Sequence, residues 1–186
     1  ANDNFGWSMT AGDFNADGKT DLAVGAEYPS AWNGAAYIYE TRENFAWRMQ
    51  EQYDSVRTNN FAGQELDIKG ETTSSLFGVS LASGDWNADG KTDLAVGAYV
   101  YSSNTGRAYI FYNDGSYPTT AATADVIITG EATSYFGQSM TAGDFNARSE
   151  EDRVGRACDY ECRTGWAQYF YNDGSYPTTA ATADVI

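Results

Sequence analysis

The sequence predicts an all-β fold of tandem four-stranded units, the organisation of β-propeller blades. One opening pattern occurs three times along the 186 residues, at 5–26, at 77–98 and, in a shortened form, at 136–147. Each opening is followed by short aromatic and β-branched runs, which are typical of strands and too brief for helices. The composition agrees, because 19 Gly and 14 Tyr favour turns and strands over helices.

Each unit is read as four strands in chain order. The stretch FG-x-S-x-x-x-G alternates in polarity, LAVGA is a short apolar run, AYIY or AYIFY is aromatic, and DIKG or DVIITG supplies the fourth strand. Asn113-Asp114-Gly115 predicts a hairpin-type turn after the third strand. The openings lie 72 and 59 residues apart. We therefore expect blades at about 5–76, 77–135 and 136–186, the last degenerate and truncated.

Composition and charge exclude several classes of function. With 26 Asp+Glu against 11 Lys+Arg, the net charge of −15 works against a nucleic-acid footprint. The sequence has no His, which removes the commonest general base and the His-containing metal sites. No apolar run is long enough to span a membrane, and the first residues do not resemble a signal peptide. Two cysteines, Cys158 and Cys162, are too few for a disulfide framework, and their role stays open.

The loop after the first strand predicts two Ca²⁺ sites. Oxygen-bearing side chains stand at positions 1, 3, 5 and 9 of a nine-residue loop, with Gly at position 6 for the sharp turn. At position 7 the backbone carbonyl of a lysine completes the shell, while its amine can point outward. The predicted ligands are Asp13, Asn15, Asp17, Lys19 and Asp21 in the first copy, and Asp85, Asn87, Asp89, Lys91 and Asp93 in the second.

Two other structures share part of this loop pattern. Asp, Asn and Gly also form ordinary turns without any ligand, although two full copies at equivalent places argue against this for both. An EF-hand shares D-x-N-x-D-G but needs a bidentate Glu at position 12 and a following helix. Position 12 is Val24 or Val96, inside a predicted strand, so the EF-hand interpretation fails.

The combined pattern FG-x-S…GD-x-N-x-DG-x-x-DL-x-VGA resembles the FG-GAP repeat of integrin α-subunit propellers and related extracellular proteins. The resemblance covers nearly the whole chain in three copies. It implies a β-propeller, typically seven-bladed, with structural Ca²⁺ in the loop between the first two strands of a blade. It also implies an extracellular or cell-surface location. We accordingly expect this chain to be a fragment of a larger propeller; self-association that closes a six-bladed ring is the alternative.

The third copy departs from the pattern. Asp144, Asn146 and Asp152 survive, but Arg148 and Ser149 replace the position-5 Asp and the position-6 Gly. A cation at the centre of the loop would repel Ca²⁺, so this degenerate site is predicted to be empty. The irregular segment 148–163 is read either as the product of two compensating frameshifts or as a partner-binding loop.

The leading functional hypothesis is a non-enzymatic Ca²⁺-stabilised module for adhesion or recognition of a protein or glycan. A lectin is the alternative, because Trp7, Trp32, Tyr101 and Trp166 are aromatic side chains of the kind that stack on sugars. An enzyme is the third hypothesis: Glu150-Glu151 is a carboxylate pair, but no nucleophile elbow or phosphate-binding loop accompanies it. The chain is also a candidate accessory domain of a larger secreted hydrolase.

Overall fold

The computed structural model describes residues 4–27, 33–41, 64–143, 152–157 and 166–170. The predictions made for Trp32, Asp144, Asn146, Arg148, Ser149, Glu150-Glu151, Cys158 and Cys162 lie outside these described residues.

The described strands form three antiparallel sheets, and this confirms the all-β prediction. The first sheet contains β1 (Phe5–Gly12), β2 (Asp21–Ala26), β3 (Ala35–Tyr39) and β4 (Gln64–Lys69) in that spatial order. The second contains β5 (Ser80–Gly84), β6 (Asp93–Ala98), β7 (Arg107–Phe111) and β8 (Val126–Thr129), again in chain order. The third contains β9 (Ser139–Gly143), β10 (Asp152–Ala157) and β11 (Trp166–Phe170). A four-residue turn, α1 (Tyr101–Asn104), in which Ser102, Ser103 and Asn104 have left-handed backbone conformations, and a 3₁₀ turn (Ala121–Thr123) lie in connections.

The first hairpin has one register in all three copies. Gly12 pairs with Asp21, Gly84 with Asp93, and Gly143 with Asp152. The strand β10 therefore persists in the segment where the sequence loses the LAVGA pattern. Strand pairing uses backbone groups, so the altered side chains do not remove it.

The connection after β7 is longer than the hairpin-type turn predicted from Asn113-Asp114-Gly115. Gly115 does adopt a left-handed conformation, with φ of +106°. The chain then continues through the 3₁₀ turn before β8 begins at Val126. The Asn-Asp-Gly sequence thus turns the backbone but does not close a two-residue hairpin.

Neighbouring sheets bury apolar side chains between them. In the first cluster, Ala36, Ile38 and Ile68 of the first sheet pack with Phe77 and Leu94 of the second. A second cluster joins the second and third sheets and is formed by Ala82, Trp86, Ala95, Ala108, Ile110, Ile128 and Phe136, with Met140 packed against it. The strand β5 lies between β1 and β9, so the first strands of the three sheets are neighbours.

The Phe-Gly dipeptides that open the second and third repeats each contact the backbone of the preceding sheet. The hydroxyl of Ser8 donates a 2.7 Å hydrogen bond to the carbonyl of Gly78. A Cβ on Gly25 would lie only 2.0 Å from that carbonyl oxygen, so glycine is required for this approach. The next interface repeats the arrangement, because the Ser80 hydroxyl donates to the carbonyl of Gly137 at 2.7 Å.

Gly97→Ala tests this packing, since Gly97 stands where Gly25 stands in the first sheet. A Cβ there would lie 1.9 Å from the Gly137 oxygen, while the backbone of Gly97 is not left-handed. The cost is therefore steric, and we expect the variant to lose about 1–3 kcal/mol of unfolding free energy. Urea denaturation measures this, with Ala122→Gly at an exposed position as the control. A Gly97→Ala chain as stable as the control would contradict the close approach.

Candidate functional site

The two predicted ligand loops, 13–21 and 85–93, connect the first and second strands of their sheets. Both are curled by left-handed residues at the same two places. Ala16 and Gly18 have φ of 58° and 83°, and Ala88 and Gly90 have 59° and 84°. The position-6 glycine therefore makes the sharp turn that the sequence predicted.

The outer part of each loop holds oxygen atoms against its own backbone amides. The Asp17 amide donates to Oδ1 of Asp13 at 2.9 Å and to Oδ1 of Asn15 at 3.0 Å. The Gly18 amide donates to Oδ2 of Asp13 at 2.7 Å, and the Lys19 amide to Oδ1 of Asp17 at 2.9 Å. Because one amide binds both Asp13 and Asn15, their oxygens converge on one point.

The second loop repeats this arrangement. The Asp89 amide donates to Oδ1 of Asp85 and to Oδ1 of Asn87, each at 3.0 Å. The Gly90 amide donates to Oδ2 of Asp85 at 2.8 Å, and the Lys91 amide to Oδ1 of Asp89 at 2.9 Å. The same oxygens are thus gathered in the same way at two places in the molecule.

The position-9 aspartates have a different environment, because both are buried. Asp21 accepts the Phe14 amide at 3.0 Å through Oδ2 and the Thr41 amide at 2.6 Å through Oδ1. Asp93 does the same with the amides of Trp86 and Asn113, each at 2.8 Å. These carboxylates tie the start of each loop to the segment that follows the third strand.

Two side chains near the loops have raised pKa values, and loop aspartates contribute to both shifts. Burial raises the pKa of Asp93 to about 6, against two backbone hydrogen bonds that lower it, and repulsion from Asp89 and Asp85 adds to the rise. Burial also raises the pKa of Tyr117, and Asp93, Asp21, Asp114 and Asp13 add to the shift. The aspartates of both loops therefore create a negative potential in one region of the molecule.

The lysine side chains do not simply point outward as the sequence analysis allowed. Lys19 Nζ lies 3.2 Å from Oδ2 of Asp17. Lys91 Nζ lies 3.9 Å from Oδ2 of Asp89 and donates to the carbonyl of Asn113 at 3.0 Å. Each lysine ammonium group therefore lies close to a carboxylate of its own loop.

Asn113 is a site residue that the sequence analysis missed. Its amide binds Asp93, its carbonyl accepts Lys91, and its side-chain Nδ2 donates to the carbonyl of Asp13 at 3.2 Å. This buried residue therefore links the second loop to the first. The sequence signal that could have identified Asn113 is the segment FYNDGSYPTTAATADVI, which occurs unchanged at 111–127 and 170–186.

The donor set of the outer loop fits a hard divalent cation. Asp13, Asn15 and Asp17 supply only oxygen atoms, and Asn15 and Asp17 are exposed. Across the described residues, no three acidic or thiol side chains converge as a metal cluster would require. In Asp21 and its counterpart Asp93, both oxygens of each carboxylate already accept backbone amides. Each such oxygen keeps a second lone pair, so position 9 is compatible with a cation but already has a structural role.

The remaining predicted site residues are dispersed. Asp152 of the degenerate copy is the first residue of β10 and pairs with Gly143. Trp7 is 62% exposed on β1. One face of Tyr101 is covered by the Arg107 guanidinium, 3.9 Å from the ring centre. Trp166 begins β11.

The chain is similar to known repeat proteins. A family model described as FG-GAP repeat matches residues 5–39 and 77–111. A phosphatidylinositol-glycan-specific phospholipase D from Bos taurus is 29% identical over 157 residues, which cover 80% of this chain and 18% of the relative. Integrin alpha-7 from Homo sapiens is 33% identical over 145 residues, 74% of this chain and 11% of the relative. Integrin alpha-PS3 from Drosophila melanogaster is 35% identical over 116 residues, 60% of this chain and 9% of the relative. The chain thus spans less than a fifth of the length of these relatives.

Asp93→Ala separates the structural role of position 9 from metal binding. The change leaves the buried amides of Trp86 and Asn113 without their acceptor, each worth about 1–3 kcal/mol. With divalent cations chelated, we expect the variant to lose about 2–4 kcal/mol of unfolding free energy in urea.

Asp89→Ala is the matched control, because Asp89 is an exposed carboxylate of the same loop. It should change the metal-free stability by less than about 1 kcal/mol. Equal losses of unfolding free energy in Asp93→Ala and Asp89→Ala would contradict a structural role that belongs to Asp93 alone.

Proposed function

From the premise that this chain belongs to the FG-GAP repeat proteins, we propose that it is a non-enzymatic, calcium-binding β-propeller module. It acts outside the cell or at its surface and recognises a protein or glycan ligand. One observation carries the calcium assignment: two loops 72 residues apart gather Asp, Asn and Asp oxygens with the same hydrogen bonds on equivalent hairpins. We retain the blade boundaries at about 5–76, 77–135 and 136–186 as part of this proposal.

The proposed ligands in the first loop are the side chains of Asp13, Asn15, Asp17 and Asp21 and the carbonyl of Lys19. In the second loop they are the side chains of Asp85, Asn87, Asp89 and Asp93 and the carbonyl of Lys91. When bound, Ca²⁺ supplies positive charge where three carboxylates of each loop otherwise repel one another. The protein holds the loop backbone beforehand through position 9, so little ordering remains at binding. Two ions would offset four of the fifteen net negative charges.

The relatives support a recognition role. Integrin alpha-7 and integrin alpha-PS3 are integrin alpha chains, and the segment that this chain shares with them carries the repeat. Within the described part of the chain, no helix is long and apolar enough to cross a membrane. We propose that the ligand contacts the repeat itself and that other blades complete the ring.

An accessory role in a larger secreted hydrolase is the alternative. The phospholipase D relative is named as an enzyme, and this chain covers only 18% of its length. The chain has no histidine, and its regularly spaced acids are assigned here to cation binding. In this alternative the module binds while a separate domain performs the chemistry.

Carbohydrate recognition is favoured by one surface of the structure. A shallow depression of about 480 Å³ is lined by Thr72, Thr73 and Ser74 after β4 and by 100–103 around α1. Six of its seven lining residues carry a hydroxyl group, and Tyr101 is the aromatic residue among them. Sugars are bound by such combinations of hydroxyl hydrogen bonds and an aromatic ring.

Millimolar Ca²⁺ should raise the melting temperature of the chain by several degrees, because the ion binds the native state and not the unfolded one. The double variant Asp17→Ala/Asp89→Ala should abolish the shift, since each change removes the exposed position-5 carboxylate of a loop. Differential scanning calorimetry with and without a chelator measures this.

The matched control is Asp67→Ala/Glu131→Ala, which removes two acids outside the loops. It should retain the full Ca²⁺ shift. Equal shifts in the two double variants, or no shift in the wild type, would refute calcium binding by the loops.

A glycan array probes the depression. Thr73→Lys places a long cationic side chain on an exposed lining residue and should eliminate any glycan signal that arises there. The control Ala122→Lys should keep the signal. Absence of wild-type binding to every glycan would reject the lectin alternative and leave a protein ligand.

A further inference from the structure

The two candidate cation loops lie against each other where the first and second sheets meet. A Cβ added to Gly12, directly before the first loop, would lie 2.4 Å from Cγ2 of Thr92 in the second loop. On the strands that lead into the loops, the Ser83 hydroxyl donates to the Ala11 carbonyl at 2.8 Å and lies 2.9 Å from Thr10 Oγ1. The loops are therefore direct neighbours, and a change in one can reach the other.

One buried residue outside both loops, Asn113, contacts both of them. Its Nδ2 donates to the carbonyl of Asp13, the first position of the first loop, at 3.2 Å. Its backbone amide donates to Asp93 at 2.8 Å, and its carbonyl accepts Lys91 Nζ at 3.0 Å. Because Asp93 and Lys91 supply proposed ligands of the second loop, Asn113 connects ligand residues of both loops.

The equivalent residue of the first sheet, Thr41, makes a local contact instead. Thr41 and Asn113 each stand two residues after the third strand of their sheet. Both backbone amides donate to the position-9 aspartate of their own sheet. The Thr41 hydroxyl, however, donates to the Thr20 carbonyl at 2.5 Å, within the loop of the same sheet. The link to a neighbouring loop is thus a property of the asparagine side chain.

By charge alone, each loop would weaken cation binding in the other once it is filled. Each loop contains three aspartates and one lysine, a net charge of −2 that a divalent cation would reduce to zero. An empty loop therefore attracts a cation toward its neighbour, and a filled loop does not.

The Asn113 link acts in the opposite direction. Asp93 and Lys91 hold the backbone of Asn113, so a filled second loop, which fixes these two residues, also restrains Asn113. Asn113 in turn restrains Asp13 through Nδ2. The first loop then loses less conformational freedom when it binds its own cation, and its affinity rises.

We propose that Asn113 couples the two loops, so that occupation of the second loop by a divalent cation strengthens cation binding in the first. The coupling is reciprocal, as linkage between two binding sites requires. This inference rests on the proposed function, because both loops must bind cations. It adds that the loops fill cooperatively and that one buried side chain outside them sets the cooperativity.

Backbone amide resonances report on each loop separately. The Gly18 amide donates to Oδ2 of Asp13 at 2.7 Å, and the Gly90 amide is its counterpart in the second loop. Ca²⁺ is titrated into the full chain, and both amides are followed by heteronuclear NMR. In Asp89→Ala, the Gly90 amide verifies that the second loop stays empty. We expect the Ca²⁺ concentration at the Gly18 midpoint to be about fivefold higher in Asp89→Ala than in the wild type.

The sign of this change separates the link from the charge effect. The empty loop of Asp89→Ala carries a net charge of −1, whereas the filled wild-type loop carries zero. Charge alone therefore predicts a lower Gly18 midpoint in Asp89→Ala.

Asn113→Ala removes the Nδ2 hydrogen bond and keeps the backbone amide and carbonyl of this residue. In this background Asp89→Ala should no longer raise the Gly18 midpoint. Asn113→Thr, which introduces the residue that the first sheet carries at this position, should behave in the same way and serves if circular dichroism shows Asn113→Ala to be unfolded. Ser116→Ala, at an exposed position of the same segment, is the matched control and should keep the fivefold effect.

Three results would overturn the coupling and leave calcium binding in place. One is a Gly18 midpoint that Asp89→Ala lowers or leaves unchanged. The second is a fivefold effect that persists in Asn113→Ala or Asn113→Thr, and the third is its loss in Ser116→Ala. Failure of the proposed function gives a different pattern. Neither amide would then shift with Ca²⁺, or Gly90 would shift in Asp89→Ala as it does in the wild type, and either pattern overturns the inference as well.

Discussion

The close approach of Phe77-Gly78 and Phe136-Gly137 to glycines of the preceding sheet is the constraint on which the rest of the structure depends. It brings the backbones of neighbouring sheets within contact distance, and the hydroxyl of Ser8 or Ser80 donates to the glycine carbonyl at the contact. Side chains such as Phe77 and Leu94 are buried where this contact places the sheets together. An additional carbon at Gly25 or Gly97 would lie 2.0 Å or 1.9 Å from that carbonyl oxygen and would force the backbones apart.

The candidate cation loops depend on that packing as well. Asp21 and Asp93 are buried and fix the loop entrance to the segment after the third strand. Asn113 then joins the second loop to the first across the sheet boundary. The loops are therefore shaped by hydrogen bonds within the protein itself, and Asp17 and Asp89 lie exposed in their outer parts. Such preorganisation reduces the entropy lost when a ligand binds.

The third copy keeps its first hairpin although its sequence departs from the other two. The hairpin of β9 and β10 has their register, and Arg156 stands where Gly25 and Gly97 stand in the first two sheets. Backbone hydrogen bonds tolerate almost any side chain, whereas the close approach of a Phe-Gly carbonyl favours glycine. Strand pairing therefore places a weaker demand on the sequence than the packing of one sheet on the next.

The sequence by itself determined the four strands of the first two repeats, the two oxygen-rich loops and the turn at their glycines, because these depend on local periodicity and on backbone conformations that few residues adopt. It did not determine the burial of Asp21 and Asp93, the bridge made by Asn113 or the contact of the Lys91 amine with the Asn113 carbonyl. Those features arise from residues 20 to 100 positions away in the chain. Phe5 and Phe77 make the point most directly, since both open the same pattern and have similar ring contacts. One is half exposed and the other fully buried, because only the tertiary structure places a neighbouring sheet over the second.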